Sequence, residues 1–344
     1  MTTAEGSVAH LLELAGDGLP RPAIAFALGL LADGATPRQI IVDLLAPVQR
    51  EVGVRWQTNR WSVADEHAAT AVIDGVLGAL SLENAVRGPR RGEVLVACAE
   101  GEHHTMPARM GVEILRSDGW DVTFLGGSLP ADDLQRFAAE REPELVLVSC
   151  TVPLTLSGAR RCFVAVDEVG LPAIAVGAAF GHDDARARRL GARGWLAPVT
   201  SLAALLDAGL PPHCEVPPTP PEARDLELDG DSLQAACLSL MVERVPAMAT
   251  YTPAQWSSTR KDLSYIFEFL TIAVDLADDE IFDSFTGWLS GVLGARHVPS
   301  SVLDQSLQCI AEVLEGADLP QAAGLCAAHR GTPMPGLAAG APTV

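Results

Sequence analysis

The sequence is short of positive charge. Lysine and arginine together number 24 against 44 aspartates and glutamates, a formal net charge of −20 over 344 residues. Phosphate-binding surfaces need clustered cations. No basic block, helix-turn-helix pattern or zinc-finger spacing offsets the deficit, so a nucleic-acid-binding surface is not expected. Long apolar runs are missing as well: no stretch reaches the roughly 18 uncharged apolar residues of a membrane span. The acidic N-terminus, MTTAEGSVAHLLELAG, lacks the apolar core of a signal peptide. Cysteine is odd in number, seven scattered from Cys98 to Cys326, which makes no disulfide framework and suits a reducing cytoplasm. Aromatic residues are only 5% of the chain, so a local concentration of them stands out. A barrel-sized catalytic domain of about 250 residues is also lacking.

What is present is apolar patterning. At 48% hydrophobic, the chain can bury sizeable cores, and its length fits two or three domains. Residues 7–19, 22–33, 37–54 and 63–84 each show helical spacing. The stripes are Leu11, Leu12 and Leu14, then Ile24, Leu28 and Leu31, then Ile40, Ile41, Leu44, Leu45 and Val48. Asp17-Gly18, Asp33-Gly34 and Asn59 mark turns, and Pro22 and Pro37 sit near helix starts. The plain reading is a four-helix bundle over residues 5–86, an architecture with no obligatory chemistry.

The next segment changes period. Glu93 to Ala99 is a buried-strand run that ends in a loop carrying Glu102, His103 and His104. A helix from about Met106 to Asp118 follows, with Met110, Ile114 and Leu115 on one face, then a strand from Trp120 to Leu125 ending in Gly126 and Gly127. In a parallel βαβ unit the loop after the first strand lies at the carboxyl edge of the sheet, where ligands bind. Ser149-Cys150-Thr151 closes a third strand (144–148), and Gly177 to Phe180 closes a fourth (173–176). No His/Asp partner is placed beside Ser149 or Thr151, which argues against a nucleophile site.

Glu102-x-His104, the glycines after the second strand and these two later elements resemble the fingerprint of cobalamin-binding domains. The resemblance implies a Rossmann-like or flavodoxin-like domain over residues 88–208, with a five-stranded parallel sheet and later helices near 130–140, 155–168, 182–190 and 200–207. It implies that His104 is the lower ligand of cobalt, replacing the cofactor's own dimethylbenzimidazole, with Glu102 orienting the imidazole. Gly126, Gly127, Ser149, Thr151, Gly177 and Phe180 would border the displaced nucleotide tail. His103 is the alternative ligand if the register is off by one. The family glycine three residues after the histidine is Pro107 here. Proline suits the first turn of a helix, but the tail passes close to that position, so the contact there is left open.

Trp56, nine intervening residues, then Glu66 and His67 lie in the bundle just ahead of this domain. Each alone reads as an ordinary helix residue. Together they resemble the light-sensing adenosylcobalamin proteins, in which the bundle caps the upper corrin face and these residues wall the adenosyl group. In the best-known branch the residue after the tryptophan is a histidine that binds cobalt once light has removed the adenosyl group. Here it is Gln57, a poor cobalt ligand, so the bis-histidine state does not carry over.

Residues 209–228 are proline-rich and read as an extended linker. His213 and Cys214 lie in it without a second pair, which gives no zinc site. Residues 229–316 read as helices at 231–244, 253–276, 278–295 and 299–315, an all-helical domain of bundle or globin-like type; the tail 317–344 reads as disordered. Tyr265, Phe267, Phe269, Phe282 and Trp288 form the local aromatic concentration. A packed core explains them equally with a pocket for a flat ligand. The domain order resembles photocobilins, photoreceptors holding adenosylcobalamin together with biliverdin. That resemblance implies a bilin domain here, with Tyr265, Phe269 and Trp288 as an aromatic wall and Asp275 facing the pyrrole N–H groups. Cys237 and Cys309 offer thioether positions, though noncovalent binding is favoured. The resemblance further implies small-molecule chromophores, a homo-oligomer with light-dependent assembly, a downstream signalling partner and no catalytic role. A corrinoid carrier for methyl transfer is the competing reading, and a flavodoxin-like regulator without corrin a third.

Overall fold

A computed structural model describes residues 4–83, 91–213 and 215–328. Cys214, the end of the bundle stretch at 84–86, the start of the α/β stretch at 88–90 and the tail from 329 lie outside the described residues. The chain forms two compact units that divide between Val216 and Pro217.

The first unit opens with α1 (Ala4–Gly16), α2 (Pro20–Ala32) and α3 (Pro37–Ile40). A π-helical turn (Ile41–Leu45) runs on into α4 (Ala46–Gln57), and α5 (Val63–Glu83) follows. Thr36 starts α3 with a reciprocal capping box to Gln39. The stripes Leu11–Leu12, Ile40–Ile41 and Leu44–Leu45–Val48 are buried, as their spacing predicts. The second helix differs. Ile24, Leu28 and Leu31 are only half-buried, and Ala23 and Ala27 face inward instead. Small residues let α2 lie close on α5, where Gly75 would put a Cβ 3.8 Å from Ile24 Cδ1.

Five parallel strands follow: β1 (Glu93–Cys98), β2 (Asp121–Phe124), β3 (Leu145–Ser149), β4 (Ala173–Val176) and β5 (Gly194–Leu196), in the order β2-β1-β3-β4-β5. Between and after them lie α6 (Thr105–Ser117), α7 (Ala131–Arg141), α8 (Leu156–Glu168), α9 (Ala185–Arg189) and α10 (Leu202–Ala208). This is the expected Rossmann-like, flavodoxin-like order, and it puts the switch point between β1 and β3, where the loops after those strands diverge and leave a crevice.

Bundle and sheet share one hydrophobic core, in which Leu11, Leu45, Ile73 and Leu80 join Met110, Ile114, Val96 and Leu147. Polar contacts reinforce one part of the seam: Arg38 to Asp118 at 2.9 Å, Ser81 to Glu113 at 2.9 Å, and an ion pair of Arg109 with Asp74.

The proline-rich stretch is not all linker. Arg193 Nε donates to Pro211 O at 3.0 Å and His213 Nδ1 lies 3.1 Å from Asp167, so residues 211–213 are tied to the first unit. The second unit then begins at Pro221, where α11 (Pro221–Arg244) starts ten residues earlier than the apolar spacing indicates. Proline in a first turn costs a helix nothing, so the residues that read as linker open one. α12 (Pro253–Leu276), α13 (Asp279–Ala295) and α14 (Ser300–Gly316) lie where the sequence places them. Part of the expected disordered tail is helical: α15 (Pro320–Ala328) buries Ala322, Ala323, Leu325 and Cys326. Its first turn is fixed by Glu222, which accepts from Ala322 N–H at 2.7 Å.

Candidate functional site

Glu102 is fully buried in the loop after β1 and uses both carboxylate oxygens. Oε1 accepts from the backbone N–H of His104 at 2.8 Å and faces His104 Nδ1 at 2.6 Å. Oε2 reaches the loop after β3, accepting from Thr151 N–H at 2.8 Å, Val152 N–H at 3.2 Å and the Thr155 hydroxyl at 3.2 Å. These last partners stand ahead of α8, at the kind of helix start that stabilises anions. Burial pushes the Glu102 carboxyl up, but hydrogen bonds and charge from His104, with the Thr151 N–H, outweigh it and hold the pKa below 4.5. The bond to Glu102 raises His104 above 6.5 against the effect of burial, and the more distant charge of Glu66 adds to the rise.

His104 caps α6 with its side chain 61% exposed. Since Nδ1 is committed to Glu102, Nε2 is the outward nitrogen, the arrangement that prepares a histidine to bind a metal. His103 is exposed and the carboxylate turns to His104 instead. Thr155 has no counterpart in the sequence reading. Its hydroxyl meets Glu102 only through folding, although it stands four residues beyond Thr151 in SCTVPLT.

Beside this loop an apolar groove, open to solvent at its mouth, runs between α6 and the ends of β1, β3 and β4. Ser149, Thr151 and Gly177 line it, as do Pro107 and Gly111 of α6. The Thr151 hydroxyl is buried there with no hydrogen-bond partner. Such an orphan in a groove fits a ligand's polar atoms. An outward imidazole nitrogen and a groove with a waiting hydroxyl together fit a corrinoid with a displaced nucleotide tail.

Phe180 is fully buried and packs on Phe163 with ring centroids 6.0 Å apart. Gly127 lies so close to the Glu102 loop that a Cβ would stand 2.9 Å from Glu102 O. Gly177 has φ +109°, and a Cβ there would meet Cys150 O at 2.3 Å. Burial raises the thiols of Cys98, to about 12, and Cys162, to about 11, which keeps them protonated.

On the bundle, Trp56 and Gln57 end α4 half-buried, and Glu66 and His67 open α5. Glu66 Oε2 is 2.5 Å from His67 Nδ1, and Glu66 Oε1 accepts from the Thr70 hydroxyl at 3.0 Å. Trp61 is a second indole in this region, packed on the bundle core with Arg55 over its ring at 4.9 Å. In the second unit, Phe269 stacks on Phe285 at 3.9 Å, Phe285 lies 6.2 Å from Trp288, and Lys261 sits over Tyr265 at 5.6 Å. Asp275 is buried within α12.

The helical bundle and the sheet with its imidazole loop are domains of the B12-binding type: residues 8–81 match one B12 binding domain model and residues 92–195 a second. Among curated proteins, the chain is 33% identical over 129 residues to the HTH-type transcriptional repressor CarH of Myxococcus xanthus, covering 38% of this chain and 42% of that protein. It is 38% identical over 108 residues to the repressor CarA of the same organism, 30% of this chain and 34% of that one. It is also 24% identical over 137 residues to a dimethylamine corrinoid protein of Methanosarcina barkeri, 39% of this chain and 64% of that one. The matches thus span less than half the length of the two repressors. The fold is that of the monomethylamine corrinoid protein of Methanosarcina barkeri, with TM-score 0.51 and 16% identity over 59% of this chain and all of that one.

Proposed function

We propose that this protein is a light sensor that binds adenosylcobalamin between the bundle and the sheet, a binding regulator rather than an enzyme. The observation that carries the reading is the pairing of Trp56, Glu66 and His67 on the bundle with Glu102–His104 on the sheet, with Glu66 near enough to act on the charge of His104. Similarity to CarH and CarA supports it. Bound adenosylcobalamin would supply a cobalt–carbon bond that light breaks. His104 Nε2 would hold the metal while Glu102 keeps its ring in place. Ser149 and Thr151 receive the nucleotide tail in the groove. Trp56 excludes water above, and Glu66 accepts hydrogen bonds from ribose hydroxyls. Trp56 and Glu66 would hold the lid through their contacts to the bound adenosyl group, and loss of those contacts would shift lid and oligomeric state together. Gln57 offers no imidazole, so it would not replace the adenosyl group as a cobalt ligand.

The second unit is proposed to hold biliverdin as a further chromophore, with Tyr265, Phe269, Asp275 and Trp288 as its contacts. This part rests on domain order and on the local aromatic concentration, in which Phe269 stacks on Phe285. A far-red absorption band on adding biliverdin tests it; without that band the function is confined to cobalamin.

A corrinoid carrier for methyl transfer is the second reading, favoured by the similarity to the dimethylamine corrinoid protein. One experiment separates the two. The protein is loaded with adenosylcobalamin in the dark and exposed to green light. A sensor changes both absorption spectrum and elution volume. Unchanged elution, together with methylation by a partner methyltransferase after reduction, gives the carrier instead.

A further inference from the structure

Glu66 is held by Thr70, and Thr70 in turn by Gln49, two residues to which the reading above assigns no role. Glu66 Oε1 accepts from the Thr70 hydroxyl, one turn along α5, and Thr70 Oγ1 lies 2.9 Å from Gln49 Nε2 of α4. Polarity fixes the direction of this chain. A carboxylate only accepts, and a hydroxyl has a single proton to give. Thr70 therefore gives its proton to Glu66 and receives one from the Gln49 amide. Turning that amide over would set its oxygen against a hydroxyl whose proton is already committed. The observed orientation leaves Gln49 Oε1 buried with no hydrogen-bond partner, so the amide is arranged for Thr70 and not for itself.

The helix geometry gives the chain a purpose. Gln49 and Trp56 are seven residues apart on the helical run containing α4, and Glu66 and Thr70 are four apart on α5, so each pair shares a helix face. The bond from Gln49 to Thr70 joins those two faces. A free glutamate loses rotamer freedom when it binds a ligand, whereas one already fixed does not. With Oε1 on Thr70 and Oε2 beside His67, Glu66 has only its remaining lone pairs to offer, and these are directed.

We propose that Thr70 and Gln49 are positioning residues that make the site selective for a corrinoid whose upper ligand carries ribose hydroxyls, by fixing the Glu66 carboxylate that accepts from them. This rests on the reading of Glu66 as the group facing the upper ligand. A methyl group in the same place has no hydroxyl to give and gains nothing from the arrangement, so the effect appears in a ratio of affinities.

The test titrates the full chain with adenosylcobalamin and with methylcobalamin in the dark, following absorption. The variants are Thr70→Val, Thr70→Ser, Gln49→Leu and Glu66→Gln. Thr70→Val is expected to lower the preference for adenosylcobalamin about tenfold, the loss of one hydrogen bond to a charged group, and Gln49→Leu, which removes a bond between neutral groups, to lower it by less, with methylcobalamin affinity retained in both. Thr70→Ser keeps the hydroxyl and should keep the preference. Equal loss for both cobalamins would mean that Thr70 and Gln49 act by packing alone, and the proposal falls. An unchanged ratio in Thr70→Val and Gln49→Leu, with a lowered ratio in Glu66→Gln, overturns the positioning role and leaves Glu66 in place. An unchanged ratio in Glu66→Gln removes the reading of Glu66 itself, and the proposal with it.

Discussion

His104 and Glu102 make opposite demands on pH. In the ligand-free protein the raised imidazole value means that its pairing stabilises the fold fully below 6.5 and stops doing so as pH climbs through the folded value. The lowered carboxyl value means that Glu102 contributes above 4.5 and ceases to contribute as pH falls through its folded value. The pair therefore stabilises most between 4.5 and 6.5, and urea midpoints of wild type and His104→Ala should diverge most in that window. As the proposed cobalt ligand His104 would have to be neutral, so cobalamin affinity should weaken as pH drops below its raised value. Glu102→Gln removes the main cause of the rise and should bring the His104 titration down, which histidine NMR would follow; Glu66→Gln should lower it less. Glu102→Ala strands the Thr151 and Val152 N–H groups and should cost about 3 kcal/mol in urea unfolding. The loop itself was legible: Glu102-x-His104 can be read from spacing. Its partner Thr155 was not, because only the fold brings residue 155 beneath residue 102.

At the scale of elements, the glycines after the strands divide by what surrounds them. Gly126 has φ +83° but open space where a Cβ would go, whereas Gly177 combines φ +109° with a carbonyl oxygen at 2.3 Å. Alanine at 126 should cost about 1 kcal/mol, from conformation alone. Alanine at 177 should cost several times as much, about 3 kcal/mol or more, since backbone must also move. Denaturant unfolding of the two variants would show the difference. Sequence marks both positions as glycines at strand ends and cannot rank them, because the crowding comes from the neighbouring strand's loop. The same gap hides α15. Its alanines and glycine carry no periodic large side chains, yet it buries four residues and is anchored by Glu222. Glu222→Ala should destabilise that helix by about 1 kcal/mol, seen as faster amide exchange at Ala322 and the residues after it.

Across the whole molecule, the change of apolar period from helical to strand and back gives away the sequence of architectures. The proline stretch is where that reading blurs, because proline serves both an extended segment and a helix start. Residues 211–213 are held to the first unit by Arg193 and Asp167, so only a short piece is left before α11 begins. Arg193→Ala should release the segment and raise the rate of limited proteolysis between residues 209 and 220. No helix among the described residues is long and apolar enough to cross a membrane.

The seam between bundle and sheet has a mechanical consequence. Among the described residues its polar clamps are Arg38–Asp118, Asp74–Arg109 and Ser81–Glu113, none of them at the beginning of α5, while Glu66 lies in the first turn of that helix and His67 directly after it. A lever fastened along one stretch moves most at its loose end. In the proposed sensor the lid would swing as a hinged arm with the Glu66 carboxylate and His67 imidazole at its tip and the shared core as the pivot.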